Sequence, residues 1–245
     1  MSLPKNPIIL IPARMKSLRL PNKPLADING EAMIVHVWRR AIESKLGRVV
    51  VACGENEIVK TVEDAGGEAV LTDPNEPSGS DRIFSALRKI DPDGQHDAII
   101  NVQGDLPILE NSTIKAAWLL LANKEVCIGT VAAQITIDEE RTNPSVVKAI
   151  VAWNSDKPTG RALYFTRATA PAGDGPLFHH IGLYAYRRAA LERFVALPVS
   201  SLEKQERLEQ LRALEYGMRI EVALVDTVPF GVDTQEDLER ARTLV

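Results

Sequence analysis

The chain has 245 residues, of which 45% are hydrophobic and 25% charged, and this balance indicates one large α/β domain or a domain with a subsidiary lobe. Its formal net charge of -4 argues against nucleic acid or an anionic membrane surface as the main partner, because such proteins carry a basic footprint. No apolar run reaches the roughly 20 residues that span a bilayer, and the N-terminus leads into a strand rather than a signal peptide, so we expect a cytoplasmic protein. Cys53 and Cys127 lie in apolar runs without Cys or His at ligand spacing and are predicted to be small core residues.

The first half of the chain alternates strand and helix patterns. Strands are predicted at 8–11, 48–53, 68–72 and 98–102, and helices at 33–42, 56–65 and 80–90. The continuous β-branched run Val49-Val50-Val51 indicates a strand buried on both faces, as in a parallel sheet covered by helices.

After about residue 125 the pattern changes to successive strands with short turns. Strands are predicted at 126–135, 146–153, 162–168, 181–187 and 220–225, one long amphipathic helix at 202–216, and a last helix from Gln235. This order predicts antiparallel additions to the sheet or a small β lobe.

The loop after the first strand carries four cations. They are Arg14, Lys16, Arg19 and Lys23. Ligands of open α/β sheets bind beyond the carboxyl ends of the strands, so a cationic loop there suits a polyanion such as a nucleoside triphosphate. A solvated basic loop is the alternative.

Two carboxylates could hold a metal ion. Asp105 follows the strand at 98–102, and Asp233 precedes the last helix. Mg²⁺ is usually held by one or two carboxylates, completed by water and substrate phosphates. The alternatives are turn chemistry for Asp105 and helix capping for Asp233, and Thr234 could take the cap and leave Asp233 free.

Further polar positions suggest binding surfaces. Arg82, in the run Ser78-Gly79-Ser80-Asp81-Arg82, carries a planar fork of donors suited to a pyrimidine carbonyl, although Ser-Gly-Ser-Asp is also ordinary capping. Lys148 lies inside a strand, as an edge charge or a phosphate contact.

Alternation along the strand at 181–187 places several polar side chains on one face. His180, Gly182, Tyr184 and Tyr186 share that face, which suits a sugar pocket. Glu206, Glu209 and Gln210 share one face of the predicted helix at 202–216, which in isolation indicates a solvated surface.

A series of motifs covers nearly the whole chain. In order they are Ile-Pro-Ala-Arg (11–14), Arg-Leu-Pro-Asn-Lys-Pro-Leu (19–25), Asp-Ile-Asn-Gly (27–30), Met-Ile-Val-His-Val (33–37), Ser-Gly-Ser-Asp-Arg (78–82), Asn-Val-Gln-Gly-Asp (101–105), Asn-Pro-Ser-Val-Val-Lys (143–148), Leu-Tyr-Phe-Thr-Arg-Ala (163–168), His-Ile-Gly-Leu-Tyr-Ala-Tyr-Arg (180–187), Leu-Glu-Gln-Leu-Arg (208–212) and Gly-Val-Asp-Thr (231–234). Their order and spacing resemble the 3-deoxy-manno-octulosonate cytidylyltransferase family, the CMP-KDO synthetases of lipopolysaccharide biosynthesis.

The resemblance implies a Rossmann-like nucleotide-diphospho-sugar transferase fold, with a mixed, mostly parallel sheet and a small β-rich lobe, usually in a homodimer. The chain would be one domain over 1–245, with a nucleotide-binding half at about 1–125, a sugar-binding lobe at about 126–217 and a return to the main sheet at about 218–245. The activity implied is transfer of CMP from CTP to the sugar acid, with release of pyrophosphate.

The resemblance also implies roles for individual residues. Those implied to bind CTP are Pro12, Ala13, Arg14, Arg19, Lys23, Ser78, Gly79, Ser80 and Arg82. Asp105 and Asp233 would bind Mg²⁺ and, with Arg14, Arg19 and Lys23, form the catalytic set. The acceptor would contact Gln103, Lys148, Arg167, His180, Tyr184, Glu209 and Gln210.

The chain departs from the family pattern at three places. Leu106 replaces a glutamate, Ala52-Cys53-Gly54 replaces Ala-Thr-Asp, and the segment 172–178 is short. We therefore expect the octulosonate or its 8-amino analogue as acceptor and N-acetylneuraminate to be poor. The alternatives are another 2-keto sugar acid, or a non-catalytic nucleotide-binding regulator.

Overall fold

A computed structural model describes residues 2–17 and 19–245. Leu18, inside the cationic loop, and Met1 lie outside the described residues. The strands are β1 (Pro7–Ala13), β2 (Asp27–Ile28), β3 (Glu31–Ala32), β4 (Arg48–Cys53), β5 (Ala69–Leu71), β6 (Ala98–Asn101), β7 (Ile128–Gln134), β8 (Lys148–Trp153), β9 (Thr159–Thr166), β10 (Phe178–Arg187) and β11 (Ile220–Val225).

The helices are α1 (Met33–Glu43), α2 (Asn56–Asp64), α3 (Gly79–Ile90), α4 (Asn111–Leu119), α5 (Asp138–Thr142), α6 (Arg188–Ala196), α7 (Ser201–Glu206), α8 (Gln210–Glu215) and α9 (Gln235–Leu244). Within the described ranges no helix is long and apolar enough to cross a membrane.

The chain divides into two compact units. One comprises Lys5–Lys115 with Pro229–Val245 and, after the role that the sequence leads us to expect, is called the nucleotide unit; the other comprises Ala116–Val228 with the residues through Pro4 and is, for the same reason, called the acceptor unit.

The nucleotide unit is built on a parallel sheet in the order β5-β4-β1-β6. Ile8, Ile9, Leu10 and Ile11 of its central strand β1 are all 0% exposed, which explains the unbroken apolar run. The small hairpin β2-β3 turns through Asn29 (φ 52°) and Gly30 (φ 90°), and Asn-Gly is the pair that favours two positive φ values in a tight turn.

The acceptor unit contains a strongly curved mixed sheet in the order β10-β7-β11-β9-β8. The pair β11-β7 is parallel, and the other neighbours are antiparallel. His179 of β10 also pairs with Lys148 of β8, so the sheet curls until its outer strands meet. This curvature turns one face of β10 inward.

The long helix predicted at 202–216 is wrong. The structure has two short helices, α7 and α8, and Arg207 between them is left-handed (φ 55°). A capping box of Ser200 and Glu203 starts α7. The pair Arg212–Glu203, 2.6 Å from Nη2 to Oε1 and largely buried, joins the two helices. The apolar periodicity continues across this break, and for that reason the sequence indicated one helix.

Candidate functional site

A cavity of about 640 Å³ lies in the nucleotide unit. Its lining comprises Pro12, Ala13, Arg14, Lys16, Ser17, Arg19, Lys23, Pro24, Glu76, Ser78, Gly79, Arg82, Gln103, Gly104 and Asp105. The cationic loop, the start of α3 and the end of β6 therefore face one space. Among the residues predicted to bind CTP, Ser80 is outside this lining and only 1% exposed. Gln103, predicted to contact the acceptor, lies here with the residues predicted to bind CTP.

Close backbone packing fixes the end of β6 against the end of β1. A Cβ on Gly104 would lie 2.7 Å from the Pro12 carbonyl oxygen, a distance that side chains do not tolerate, so this position requires glycine. A second contact holds the cationic loop, because the Met15 amide donates to Glu55 Oε2 at 3.1 Å. No local sequence pattern indicates this role of Glu55.

Lys23 joins the two carboxylates that were predicted to bind metal. Its Nζ donates to Asp105 Oδ2 at 2.8 Å and to Asp233 Oδ1 at 3.0 Å. Arg19 Nη2 lies 3.0 Å from the other oxygen of Asp233. Burial alone would lower the pKa of Lys23, but the charge of Asp105 and the hydrogen bonds to both carboxylates raise it above its usual range. Lys23 is therefore a stable cation here.

The C-terminal segment delivers Asp233 to this position. Val232 is fully buried with Leu20 and Leu238, and its amide donates to the Asp105 carbonyl at 2.9 Å. Thr234 forms a capping box with Asp237 at the start of α9. The prediction that Thr234 caps the helix is confirmed, and the Asp233 carboxylate pairs with Lys23 and Arg19 rather than with the helix.

Arg82 is engaged with the protein itself. It is 2% exposed; Nη1 donates to Thr72 Oγ1 at 2.6 Å and to the Asp73 carbonyl at 3.0 Å, and Nη2 donates to the Pro74 carbonyl at 3.2 Å. Burial lowers its pKa. These bonds hold the segment 72–74 beside the cavity and leave few donors for a ligand. Base recognition by Arg82 stays a prediction.

His180 is the centre of a buried polar network in the acceptor unit. Gln210 Nε2 donates to its Nδ1 at 3.3 Å, so Nε2 carries the proton and donates to Thr130 Oγ1 at 3.0 Å. The Thr130 hydroxyl in turn donates to the Leu183 carbonyl at 2.8 Å. Burial, with a smaller contribution from the charge of nearby His179, lowers the pKa of His180 to about 3. The ring is neutral and fixes the orientation of Gln210.

Aromatic rings extend from His180 along the inward face of β10. Ring centroids are 4.6 Å apart for Phe165 and His180, 5.6 Å for His180 and Tyr184, and 5.8 Å for Tyr184 and Tyr186. The shared face predicted for these residues is confirmed, although the strand is irregular between Ile181 and Tyr184. Burial raises the pKa of Tyr184 well above its usual value, so the hydroxyl remains a neutral donor.

Glu206 and Arg167 are tied to each other and to neighbouring backbone. Glu206 accepts from Thr166 Oγ1 at 2.7 Å and from the Arg167 amide at 2.9 Å. Arg167 Nε donates to the Glu206 carbonyl and Nη1 to the Pro144 carbonyl, both at 2.9 Å. Glu206 is therefore a positioning group for Arg167, and the solvated surface suggested by the sequence is wrong for this residue.

Lys148 is 0% exposed, and its Nζ donates to the Asn143 carbonyl at 2.7 Å. Burial lowers its pKa. The edge-charge alternative is therefore wrong, because the curled sheet closes over this position. The ammonium instead holds the end of α5 against β8.

The described part of the chain contains no cluster of three or more His, Cys, Asp or Glu side chains able to hold a metal ion. Asp105 and Asp233 are a pair that converges on a single cation. Such a pair fits Mg²⁺, which takes one or two protein carboxylates and completes its shell with water and phosphate oxygens.

Comparisons with known proteins show the family of this chain. The cytidylyltransferase family pattern matches residues 8–220. The 3-deoxy-manno-octulosonate cytidylyltransferase of Paramagnetospirillum magneticum is 62% identical over 98% of this chain and 97% of that protein. That of Parvibaculum lavamentivorans is 63% identical over 97% and 92%. This chain belongs to the 3-deoxy-manno-octulosonate cytidylyltransferase family.

Solved structures support the same assignment. A CMP:2-keto-3-deoxy-manno-octonic acid synthetase complexed with CTP is 34% identical, with a TM-score of 0.89 over 98% of both chains. The 4-diphosphocytidyl-2C-methyl-D-erythritol synthase of Anaerococcus prevotii is 13% identical with a TM-score of 0.64 over 98% of both chains, and shows likeness of fold alone. The predicted fold class is confirmed, and the chain is a nucleotidyltransferase enzyme, which disfavours the non-catalytic regulator.

Proposed function

We propose that this chain transfers CMP from CTP to 3-deoxy-manno-octulosonate, a step of lipopolysaccharide biosynthesis. The observation that carries the proposal is the convergence of Asp105 and Asp233 on Lys23, which lines the cationic cavity, in a chain that closely resembles a synthetase solved with CTP. The anomeric hydroxyl oxygen of the acceptor forms a bond to the α-phosphorus, the bond to the β-phosphate oxygen breaks, and pyrophosphate leaves with the negative charge. The hydroxyl proton is released.

The nucleotide unit supplies charge for the triphosphate. Arg14, Lys16 and Arg19 are exposed at the cavity and Lys23 lies deeper, so four cations line it, of which Arg19 and Lys23 are also paired with carboxylates. Ser78 and Gly79 bring the amino end of α3 to the same space, where backbone amides favour an anion or a base carbonyl. Charge that builds on departing pyrophosphate is stabilised by these fixed cations.

We propose that Asp105 and Asp233 hold Mg²⁺ when nucleotide is bound. The ion would neutralise phosphate charge and help to orient the reacting groups. The residues of this chain contribute the two carboxylates and the surrounding cations.

The acceptor unit supplies donors for a sugar acid. Arg167 uses Nε and Nη1 within the protein, so its Nη2 remains available to a carboxylate. Gln210, oriented by His180, and Tyr184, with Glu209 nearby on the chain, provide hydrogen-bonding groups for hydroxyls. Contact between Gln103 and the acceptor stays a prediction. Contact between Lys148 and substrate is disfavoured by its complete burial.

Pyrophosphate release measured with CTP, Mg²⁺ and a panel of sugar acids tests the proposal. We expect turnover with 3-deoxy-manno-octulosonate or its 8-amino analogue and poor turnover with N-acetylneuraminate. Faster release with N-acetylneuraminate than with either octulosonate would contradict the assigned acceptor. Faster release with UTP than with CTP would contradict the assigned base.

The variant Arg167→Met provides a control for the acceptor site. It should raise the KM for the sugar acid and leave the KM for CTP unchanged, because Arg167 belongs to the acceptor unit.

We also propose a cytoplasmic homodimer. Light scattering after gel filtration would test the dimer, and cell fractionation would test the location. A monomer at working concentration would contradict the dimer.

A further inference from the structure

The position of Lys23 raises a question about how a divalent ion reaches Asp105 and Asp233. One ammonium bonds one oxygen of each carboxylate, at 2.8 and 3.0 Å. Its side chain is 16% exposed, whereas those of Asp105 and Asp233 are 34% and 48% exposed. The cation therefore lies on the inner side of the pair, at the point where both carboxylates converge.

The charges around this point are already balanced. Lys23 and Arg19 contribute two positive charges and Asp105 and Asp233 two negative ones, and every member is joined to another by a contact of 3.0 Å or less. A divalent ion that bound both carboxylates would lie within a few ångströms of Nζ. Like charges at that distance repel strongly in a partly buried site. In the present arrangement Lys23 therefore competes with a dication for the two carboxylates.

We propose that Lys23 is a resident cation that occupies the divalent-ion position and yields it when a triphosphate arrives. The lysine side chain has four rotatable bonds, so Nζ can move within the cavity while the backbone stays in place. The backbone at Lys23 is fixed independently, since its carbonyl accepts from the Ala26 amide at 3.1 Å. Phosphate oxygens in the cavity would offer Nζ a new partner and so release both carboxylates.

This exchange has two consequences for the free protein. The two carboxylates stay together without mutual repulsion, because the ammonium neutralises them. Divalent ions bind weakly until the nucleotide is present, because they must displace an ion pair. The role of the nucleotide in this second consequence rests on the proposed function. The competition between Lys23 and a divalent ion can be measured without nucleotide.

The experiment is a titration with Mn²⁺ alone, in which electron paramagnetic resonance reports the free ion. Lys23→Met removes the ammonium and keeps the length of the side chain. We expect it to bind Mn²⁺ at least about tenfold more tightly than the unmodified protein. Lys16→Met is the matched control, because Lys16 lines the same cavity, and it should change the affinity by less than about twofold. The double variant Lys23→Met with Asp105→Asn should lose the gain.

Three results would overturn the proposal. They are a Lys23→Met protein that binds Mn²⁺ no more tightly than the unmodified protein, an equal gain in Lys16→Met, and a gain that survives Asp105→Asn. Lys23→Gln serves as a second variant, and circular dichroism confirms that each protein is folded. Mn²⁺ should also raise the thermal midpoint more in Lys23→Met than in the unmodified protein. The Mn²⁺ titration contains no substrate, so its outcome does not depend on CMP transfer. A protein that failed to transfer CMP would contradict the proposed function and leave the titration result unchanged.

Discussion

Replacement of His180 by glutamine should remove part of the acid sensitivity of the acceptor unit. Burial lowers the pKa of His180 to about 3, whereas an imidazole in an unfolded chain titrates near 6.5. Glutamine can donate to Thr130 and accept from Gln210, so it preserves the polarity of the network but cannot take up a proton in this range.

The direction in which the free energy of unfolding changes with pH follows from proton binding. Between about pH 6.5 and pH 3 the unfolded chain binds a proton at this position and the folded chain does not, so the free energy of unfolding decreases as the pH falls through that window. At 1.36 kcal/mol per pH unit, His180 should cost about 2 kcal/mol of stability between neutral pH and pH 5. His179 acts in the same direction, because burial lowers its pKa to about 4, and it remains in the variant.

Urea unfolding at about pH 7.5 and about pH 5 provides the measurement. The unmodified protein should lose about 2 kcal/mol more than His180→Gln over this interval, and carboxylates common to both proteins cancel in the comparison. His180→Phe, which also cannot be protonated, should show the same reduced dependence. Equal pH dependence of the unmodified protein and both variants would refute the assignment of a buried neutral imidazole.

Three further predictions concern the site and its supports. Asp105→Asn and Asp233→Asn should each remove most turnover with the fold intact, and activity within about threefold of the parent would contradict the metal assignment. Gly104→Ala should cost about 1–3 kcal/mol of stability and lower kcat, because its Cβ would meet the Pro12 carbonyl; unchanged urea midpoint and kcat would argue against this contact. Arg212→Met breaks the buried pair between α7 and α8, and should raise the KM for the sugar acid at constant KM for CTP; a shift confined to CTP would place its effect elsewhere.

Local patterns predicted the parallel strands of the nucleotide unit and its helices α1, α2, α3 and α9, because each of these elements carries its own signal, whereas the hairpin β2-β3 and α4 were not predicted. The strand predicted from the valine-rich run at 48–53 has the same bounds in the structure, Arg48–Cys53. The last helix begins at Gln235, as predicted from the capping residues before it. The loop cations and Asp105 follow strands whose carboxyl ends meet in any parallel sheet. Their proximity is therefore a property of the fold class.

The acceptor unit was harder to predict because long-range contacts decide its details. Arg207 adopts a left-handed conformation that few non-glycine residues favour, and no turn residue in the neighbouring sequence predicts it. The burial of Lys148 depends on β8 meeting β10, a closure between strands about thirty residues apart in sequence. α6 starts directly after β10 without a side-chain cap, and the sequence analysis missed it.

The division of the chain has a consequence for protein engineering. Nearly all of the acceptor unit is one uninterrupted segment, Ala116–Val228, whereas the nucleotide unit is assembled from segments on either side of it. All of the proposed acceptor contacts except Gln103 are thus encoded in this single segment, which could be exchanged as a cassette. Exchange of the segment Ala116–Val228 between relatives would transfer Arg167, His180, Tyr184 and Gln210 together with the strands and helices that orient them. The recipient protein would keep its own paired carboxylates and the lysine between them.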